Sequence, residues 1–416
     1  MMHALRLGDV GTTYGGLTGK TKADFGIGDG SFVTFLEVIN STRLRGRALE
    51  QVRVAKGERQ SQVMRGDLLF NGSSETPEEV ALSAVVDFDP DPSTFLNSFC
   101  FGFRLRSDAE VDPTFLAYFF RSATGRGLVS SLAQGATRYN IAKTKFLDVR
   151  LDLPSLQRQR EIATSLCDAD DLIATLERLI AKKQAIKQGM MQQLLTGRTR
   201  LPGFTGEWTD IRLGDHVSYV KTVALSRAQL DTKSPLKYLH YGDIHTRSSV
   251  LLDAVGEEMP RASALLAGRA GQLRCGDLVF ADASEDPAGV GKSVEIVDVP
   301  SGGVVPGLHT IAARFDKSVL ADGFKAYLQF IPSFREQLLR LAAGTKVLAT
   351  TRSYISSVIL TLPDIAEQKA IAEVLHDSER EIDTLRVRLS KARDMKTGMM
   401  QQLLTGRSRL PVEAES

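Results

Sequence analysis

Gly289-Val290-Gly291-Lys292-Ser293 has the form of the end of a phosphate-binding loop, in which backbone amides cradle phosphates and a lysine reaches them. Such a loop needs a glycine five residues before Gly291, and Asp286 stands there, where its charge repels phosphate. The following Val294–Val299 has strand character, not the helix that the motif requires. Gly19-Lys20-Thr21 fails the same test, with Tyr14 at the first-glycine position. Phe25-Gly26-Ile27-Gly28-Asp29-Gly30 echoes a methyl-donor loop, yet no Asn/Asp-Pro-Pro-aromatic run follows, and a glycine turn accounts for it. The six histidines include one close pair, His240 and His245, with poor zinc spacing and no glutamate of an H-E-x-x-H helix. Asp67 and Asp277 recur in a Gly-Asp-Leu-(Leu/Val)-Phe context, which suits turn aspartates better than a nuclease cluster. No metal site and no bound cofactor are expected in this chain.

Polyanion binding is better supported. Residues 1–152 carry 18 Lys/Arg and 18 Asp/Glu, yet Arg43, Arg45, Arg47, Arg53, Lys56, Arg59 and Arg65 share one stretch with only Glu50 and Glu58. The acids come later, at Glu75, Glu78, Glu79, Asp87, Asp89 and Asp91. A polarised stretch suits a phosphate-facing surface, where neutralised phosphates release counterions; a solvated charged face is the plainer alternative. Lys237, His240, Tyr241, His245 and Arg247 likewise mix hydrogen-bond donors with an aromatic ring, as a DNA-facing loop would.

The elements that must carry these residues are duplicated. Gly-Met-Met-Gln-Gln-Leu-Leu-Thr-Gly-Arg occurs unchanged at Gly189–Arg198 and Gly398–Arg407, 209 residues apart, in a chain of 416. That offset holds without a gap from Leu153-Pro154 to Leu201-Pro202 against Leu362-Pro363 to Leu410-Pro411. It is far longer than a solenoid period and means two copies of a whole domain plus a helix about an approximate two-fold axis. In copy one Ile162, Leu166, Ala169, Ile173, Leu176, Ile180, Lys183, Lys187, Met190 and Leu194 step by threes and fours. In copy two Ile371, Leu375, Ser378, Ile382, Leu385, Leu389, Ala392, Lys396, Met399 and Leu403 keep that register. Such periodicity predicts a coiled-coil helix from Ser155 to Leu195, about 60 Å long. Gly197 and Gly406 fall where a helix C-terminus favours positive φ.

Charge order predicts how the helices pair. Asp168, Asp170 and Asp171 precede Lys182, Lys183 and Lys187; Glu373, Asp377, Glu379, Glu381 and Asp383 precede Arg386, Arg388, Lys391 and Arg393. Antiparallel pairing sets acid against base and suits both helix dipoles. The globular copies match more loosely, through Arg6-Leu7-Gly8-Asp9 and Arg212-Leu213-Gly214-Asp215, or Phe115–Tyr118 and Phe324–Tyr327. Strand patterns at Phe32–Val38, Asp67–Phe70, Phe101–Leu105, Ser293–Val297 and Thr310–Phe315, with helices near Pro113–Ser122 and Asp322–Leu341, make each a mixed α/β unit. Like helices beside unlike heads suggest a common partner surface carrying two different reading heads.

Composition sets the bounds. At 43% hydrophobic, 25% charged and net +2, the chain is ordinary globular material for two to four domains. It has no apolar run of membrane-spanning length, no signal-peptide pattern at Met1–Val10, and three scattered cysteines that form neither disulfide framework nor zinc pattern. A cytoplasmic location without membrane contact fits. The expected organisation is a first α/β domain at 1–152, helix and linker at 153–202, a second domain at 203–361, a second helix at 362–411 and a disordered tail at 412–416.

Two variable units, each followed by an LP-led helix ending in LLTGR-x-R-LP, resemble the specificity subunit of type I restriction–modification systems. Tyr14–Phe35, Gly66–Phe70, Lys237–Thr246 and Gln134–Phe146 add to the likeness, which spans essentially the whole chain. The resemblance implies two α/β target-recognition domains, each reading half of a split asymmetric double-stranded DNA site, on an antiparallel intramolecular coiled coil. It implies a non-catalytic chain that docks two modification (methyltransferase) subunits, joined by restriction (translocase/endonuclease) subunits. The assembled complex would methylate adenine and cleave DNA with ATP, so S-adenosylmethionine, ATP and Mg2+ belong to the partner subunits. The DNA-facing candidates are Lys20, Lys22, Arg43, Arg45, Arg47, Arg53, Thr137, Arg138, Tyr139, Lys143, Lys221, Lys237, His240, Tyr241, His245, Arg247, Thr345 and Lys346. Met190, Met191, Gln192 and Gln193, with Met399, Met400, Gln401 and Gln402, are the partner-binding candidates. Two other functions stand as alternatives: a self-sufficient DNA-modifying or DNA-cleaving enzyme with a cryptic site, and a coiled-coil adaptor without base readout.

Overall fold

The computed structural model describes residues 3–342 and 348–404. Thr345, Lys346, the second Thr-Gly-Arg at 405–407 and the expected tail lie outside them. The chain divides into two compact units, residues 1–178 with 386–416, and residues 179–385. Each unit thus holds one globular head, the start of the helix that follows it and the end of the other long helix.

In the first head, a two-stranded pair of His3–Arg6 with Arg150–Leu153 closes the globular part just before the helix. Its main sheet has five strands, in the order Gly11–Gly15, Cys100–Leu105, Leu68–Asn71, Ser83–Val86 and Arg43–Leu44. The second head repeats that order with Val217–Val220, Thr310–Phe315, Leu278–Ala281, Ser293–Asp298 and Leu251–Asp253, and closes with Thr209–Arg212 on Ile359–Leu362. Both sheets are antiparallel except at the last strand, which pairs parallel. A smaller sheet differs: three strands in the first head, four in the second.

Buried aromatic residues hold the first core together, with Phe70, Phe101, Phe103, Phe120 and Phe146 in mutual ring contact. Two expected elements end differently. The strand placed at Phe32–Val38 stops at Val33, because Thr34 caps a helix, Phe35–Asn40, by accepting the Glu37 amide. The helix placed at Asp322–Leu341 is a 3₁₀ turn, Lys325–Phe330, and a separate helix, Pro332–Leu341. Pro332 has no amide to continue the first and starts the second.

The long helices run Leu156–Leu194 and Ile365–Leu403. Their apolar seam is buried at Ile162, Leu166, Leu176 and Ile180, and at Ile371, Leu375, Ile382 and Leu385. Within the first unit, Arg393 meets Glu177 at 2.6 Å and Lys396 meets Asp170 at 2.6 Å. Within the second, Lys183 meets Glu381 at 2.8 Å and Lys187 pairs with Glu379. Rising numbers on one helix meet falling numbers on the other in both units, so the pairing is antiparallel, as the charge order predicts.

Head and helix are joined by a glutamine in each copy. Gln159 and Gln368, both 1% exposed, each make three bonds. Gln159 accepts the Asp112 amide and donates to the Glu110 and Pro154 carbonyls. Gln368 accepts the Ala321 amide and donates to Val319 and Pro363. The polar turn after each Leu-Pro is therefore a clamp that fixes helix to head.

Candidate nucleic-acid interface

The recurring aspartates are structural. Asp67 accepts the Met64 amide, the Tyr14 hydroxyl at 2.6 Å and two bonds from the Arg104 guanidinium at 2.7 and 2.8 Å. Asp277 accepts the Arg274 amide and the same two bonds from Arg314, at 2.7 and 2.8 Å. Both follow a glycine at positive φ, Gly66 at 84° and Gly276 at 86°, as a tight turn requires. Burial and the neighbouring Asp67 carboxylate push the Tyr14 hydroxyl far above its ordinary value, so it stays a donor.

The strands flanking this turn point the other way to a cluster of loops. In the first head, Gly15, Asn71 and Cys100 lie together at one sheet end, by the register of their strands. Ser73–Ser74 continues from there and pairs with Tyr139–Asn140. The turn between Gln134 and Asn140 is closed by reciprocal backbone bonds and needs Gly135, at φ 137°, where a Cβ would lie 2.0 Å from the Arg138 carbonyl oxygen. Thr137 and Arg138 are thereby held out at its tip, exposed. Lys143 reaches the same end, its Nζ beside Gly15, 3.2 Å from where a Cβ would stand. Four of the sequence candidates, Thr137, Arg138, Tyr139 and Lys143, thus share one surface. Phe99 joins them: 56% exposed, it lies under the Arg138 guanidinium at 5.6 Å. Sequence reasoning missed it because a lone phenylalanine before a strand reads as core.

The equivalent end of the second head carries rings. Ala283–Ser284 pairs with Leu348–Ala349 as Ser73–Ser74 pairs with Tyr139–Asn140. His240, Tyr241 and His245 sit on a short helix, Tyr241–His245, and its N-cap. Tyr241 contacts the rings of His240 at 4.4 Å, His309 at 5.4 Å and His245 at 6.0 Å. His240 Nδ1 accepts the Gly242 amide, and burial lowers its pKa, so the neutral ring carries its proton on Nε2. His245 Nε2 bonds to the Ala283 carbonyl. Neither histidine is arranged for zinc, and among the described residues no cluster of His, Cys, Asp and Glu could hold a metal. Lys292 donates to the His245 carbonyl, and its chain continues as strand Ser293–Asp298, so no helix N-terminus faces a phosphate there.

The remaining candidates divide by what they touch. Lys20 bonds to Glu58 at 2.6 Å and to the Arg53 carbonyl, and this contact holds the Glu58 carboxyl down at about 2. Arg43 pairs with Asp87 and Asp171, Arg45 with Asp171, and Arg53 with Asp24. Arg65 pairs with Asp89 and Asp87. The acids that follow the basic stretch, together with Asp171 of the helix, therefore fold back to neutralise much of it. Lys237 is buried and donates to the Glu257 and Val255 carbonyls, while Arg247 pairs with Glu257. Lys22, Arg47, Lys143 and Lys221 are exposed and make no ion pair among the described residues.

The helix ends face two ways. Met190 and Met191 pack against the second head's core, and Met399 and Met400 against the first's. Gln192, Gln193, Gln401 and Gln402 are exposed on the same turns. Among the described residues no helix is long and apolar enough to cross a membrane, and all three cysteines are free.

Two like α/β heads, one presenting cations and a ring at its sheet end and the other a cluster of rings, each fixed to a copy of the same helix, define a double-headed binding protein. The family model for the type I restriction modification DNA specificity domain matches residues 4–188. A Methanocaldococcus jannaschii specificity subunit, MjaX, is 23% identical over 95% of this chain and 90% of its own length. A second from that organism, MjaVIII, is 25% identical over 71% of this chain and 70% of its own. Among solved structures, the type I restriction–modification S subunit from M. genitalium superposes with a TM-score of 0.58 at 11% identity, covering 97% of this chain and 96% of its own. A solved structure of a type I system's assembly gives 0.54 at 15%, covering 97% of each chain. Residues 4–188 thus carry a type I restriction modification DNA specificity domain, the chain is similar over nearly its whole length to type I specificity subunits, and its function is DNA recognition.

Proposed function

We propose that the first head reads one half, and the second head the other, of a split asymmetric duplex DNA site. The observation that carries this is the pairing of one repeated scaffold with two unlike sheet ends: Arg138, Lys143 and Phe99 in one, His240, Tyr241, His245 and His309 in the other. Unlike side chains at equivalent positions read unlike bases. Heads at 1–152 and 203–361, helices at 153–202 and 362–411, and the antiparallel helices as the spacer between half-sites complete the organisation. Two modification subunits dock at the repeated helix ends through Gln192, Gln193, Gln401 and Gln402, backed by Met190, Met191, Met399 and Met400. Restriction subunits join them in the cytoplasm. Methyl donor, ATP and Mg2+ act in those partners, whose complex methylates adenine and cleaves DNA.

The test is to map methylated positions with the complete complex. Arg138→Ala with Lys143→Ala should weaken binding and disturb one half-site, and reduce the logarithmic salt dependence by about one per lost phosphate contact. Tyr241→Ala should disturb only the other half-site. If either change altered both half-sites equally, or neither, the assignment of one head to one half-site would be wrong.

A further inference from the structure

Phe99 is presented, not merely left outside. Its amide donates to the Asn97 side-chain oxygen at 2.9 Å, and its carbonyl accepts the Gly72 amide at 2.7 Å. The turn is anchored again where the Cys100 amide donates to the Asn97 carbonyl and the Asn97 amide to the Val33 carbonyl, both at 3.0 Å. Gly16 packs so close that a Cβ would lie 2.0 Å from the Asn97 carbonyl oxygen. A backbone held this firmly carries a ring that is 56% exposed, while the other phenylalanines around it fill the core. Arg138 lies over the ring and Lys143 reaches the same sheet end, so positive charge surrounds an apolar disc.

The second head marks the same position. Cys100 pairs with Asn71 as Thr310 pairs with Ala281, so His309 stands where Phe99 stands. His309 takes φ 57°, a conformation that non-glycine residues rarely adopt and that gathers at functional positions. Its side chain is half-exposed and hydrogen-bonds to Asp282 at 3.1 Å. Both heads thus spend one turn on holding a planar ring outward at the sheet end, of different chemistry in each.

We propose that Phe99 stacks on a base of the half-site contacted by the first head and is a specificity-determining residue there. The proposal rests on the reading of this sheet end as DNA-facing. A rigidly held ring beside cations is the arrangement by which proteins stack on or wedge between bases, since the cations bind phosphate and the ring replaces a base neighbour.

The test uses the complete complex with its modification subunits and methyl donor. Duplexes carrying its mapped site have 2-aminopurine placed at successive positions of each half-site. Wild-type protein should change the fluorescence of one position in the first head's half-site. Phe99→Ala should abolish that change and weaken specific binding roughly ten- to hundred-fold. Phe99→Leu should behave like Phe99→Ala and Phe99→Trp like wild type, with thermal unfolding unchanged in all three, because the side chain is outside the core. Methylation mapping should show Phe99→Ala relaxed in that half-site alone. Unchanged binding and fluorescence in Phe99→Ala, with binding lost in Arg138→Ala/Lys143→Ala, would overturn the role of Phe99 and keep the interface. No loss in any of these variants would overturn the interface itself.

Discussion

Where the first head buries Val85, the second buries Glu295, and where the first buries Leu116, the second buries Lys325. In the first head both residues belong to one apolar core. Glu295 accepts the Gly323 amide at 2.7 Å and the Ala326 amide at 3.0 Å, and lies 3.8 Å from the Lys325 ammonium. Lys325, with no exposed surface, also pairs with Asp322 at 2.6 Å. One head therefore closes this layer with apolar contact and an α-helix, Pro113–Arg121, and the other with an ion pair and a 3₁₀ turn. A neighbouring position shows the same exchange. Arg121 donates to the Ser83, Val38, Ile39 and Ser41 carbonyls, filling the space beneath the Phe35–Asn40 helix. Its counterpart Phe330 is exposed, and a cavity of about 430 Å³ lies there, lined by Lys292, Ser293 and Gln329. The sheet, the Asp–Arg turn and the glutamine clamp are common to both. What differs is how each head fills the gaps around them, which shows that the scaffold constrains backbone register far more than side-chain chemistry.

The largest expected effect tests that exchange directly. Lys325→Leu alone should destabilise the second head by about 3–5 kcal/mol at about pH 8, where Glu295 is ionised, because it leaves a buried carboxylate without its partner. Lys325→Leu with Glu295→Val, which installs the first head's pair, should return stability to within about 1 kcal/mol of wild type. Hydrogen exchange in the second head measures both. A double variant as unstable as the single would mean that the two heads are not interchangeable in this layer.

Next in size is the attachment of helix ends to heads. Leu403 packs in the first head's core and Leu194 in the second's, although each belongs to the helix following the other head. Leu403→Ala should cost about 3 kcal/mol and lower amide protection in the first head, and Leu194→Ala the same in the second. Loss of protection in the opposite head from that expected would break the division into units.

A smaller effect separates the heads by pH. Burial raises the Glu295 carboxyl to about 7, above its ordinary value near 4.5. The folded state then binds this proton more tightly than the unfolded chain does. Its contribution is full below about 4.5 and is lost as pH rises through about 7. Urea unfolding of the second head should show about 2 kcal/mol of stability lost between pH 5 and 8 from this group. The Glu295→Val/Lys325→Leu variant should lack that slope, as should the first head, where Val85 has nothing to titrate. A slope that survives in the double variant would assign it to other groups.

The two levels of information separate at identifiable residues. Repeat, helix length and antiparallel order were legible because they depend on periodicity and charge along one helix, which are local. Ile162 to Leu194 needed only a count of threes and fours, and Asp170 against Lys396 only the sign of each end. The basic stretch misled for the converse reason. Nothing near Arg43 in sequence shows that Asp87 and Asp171 will neutralise it from 44 and 128 residues away.

The sequence by itself determined that the chain is two copies of a head and a helix, with the helices antiparallel and the heads unlike. Tertiary structure alone decided which cations stay free, since ion pairing depends on what the fold brings within about 4 Å. It also decided that Met190, Met191, Met399 and Met400 pack on the heads while the adjacent glutamines face out, because a helix face acquires meaning only when a core lies against it. Phe99 is the sharpest case. Its type predicts burial by the hydrophobic effect, and only a turn pinned by Asn97 and Gly72 holds its ring in solvent beside Arg138.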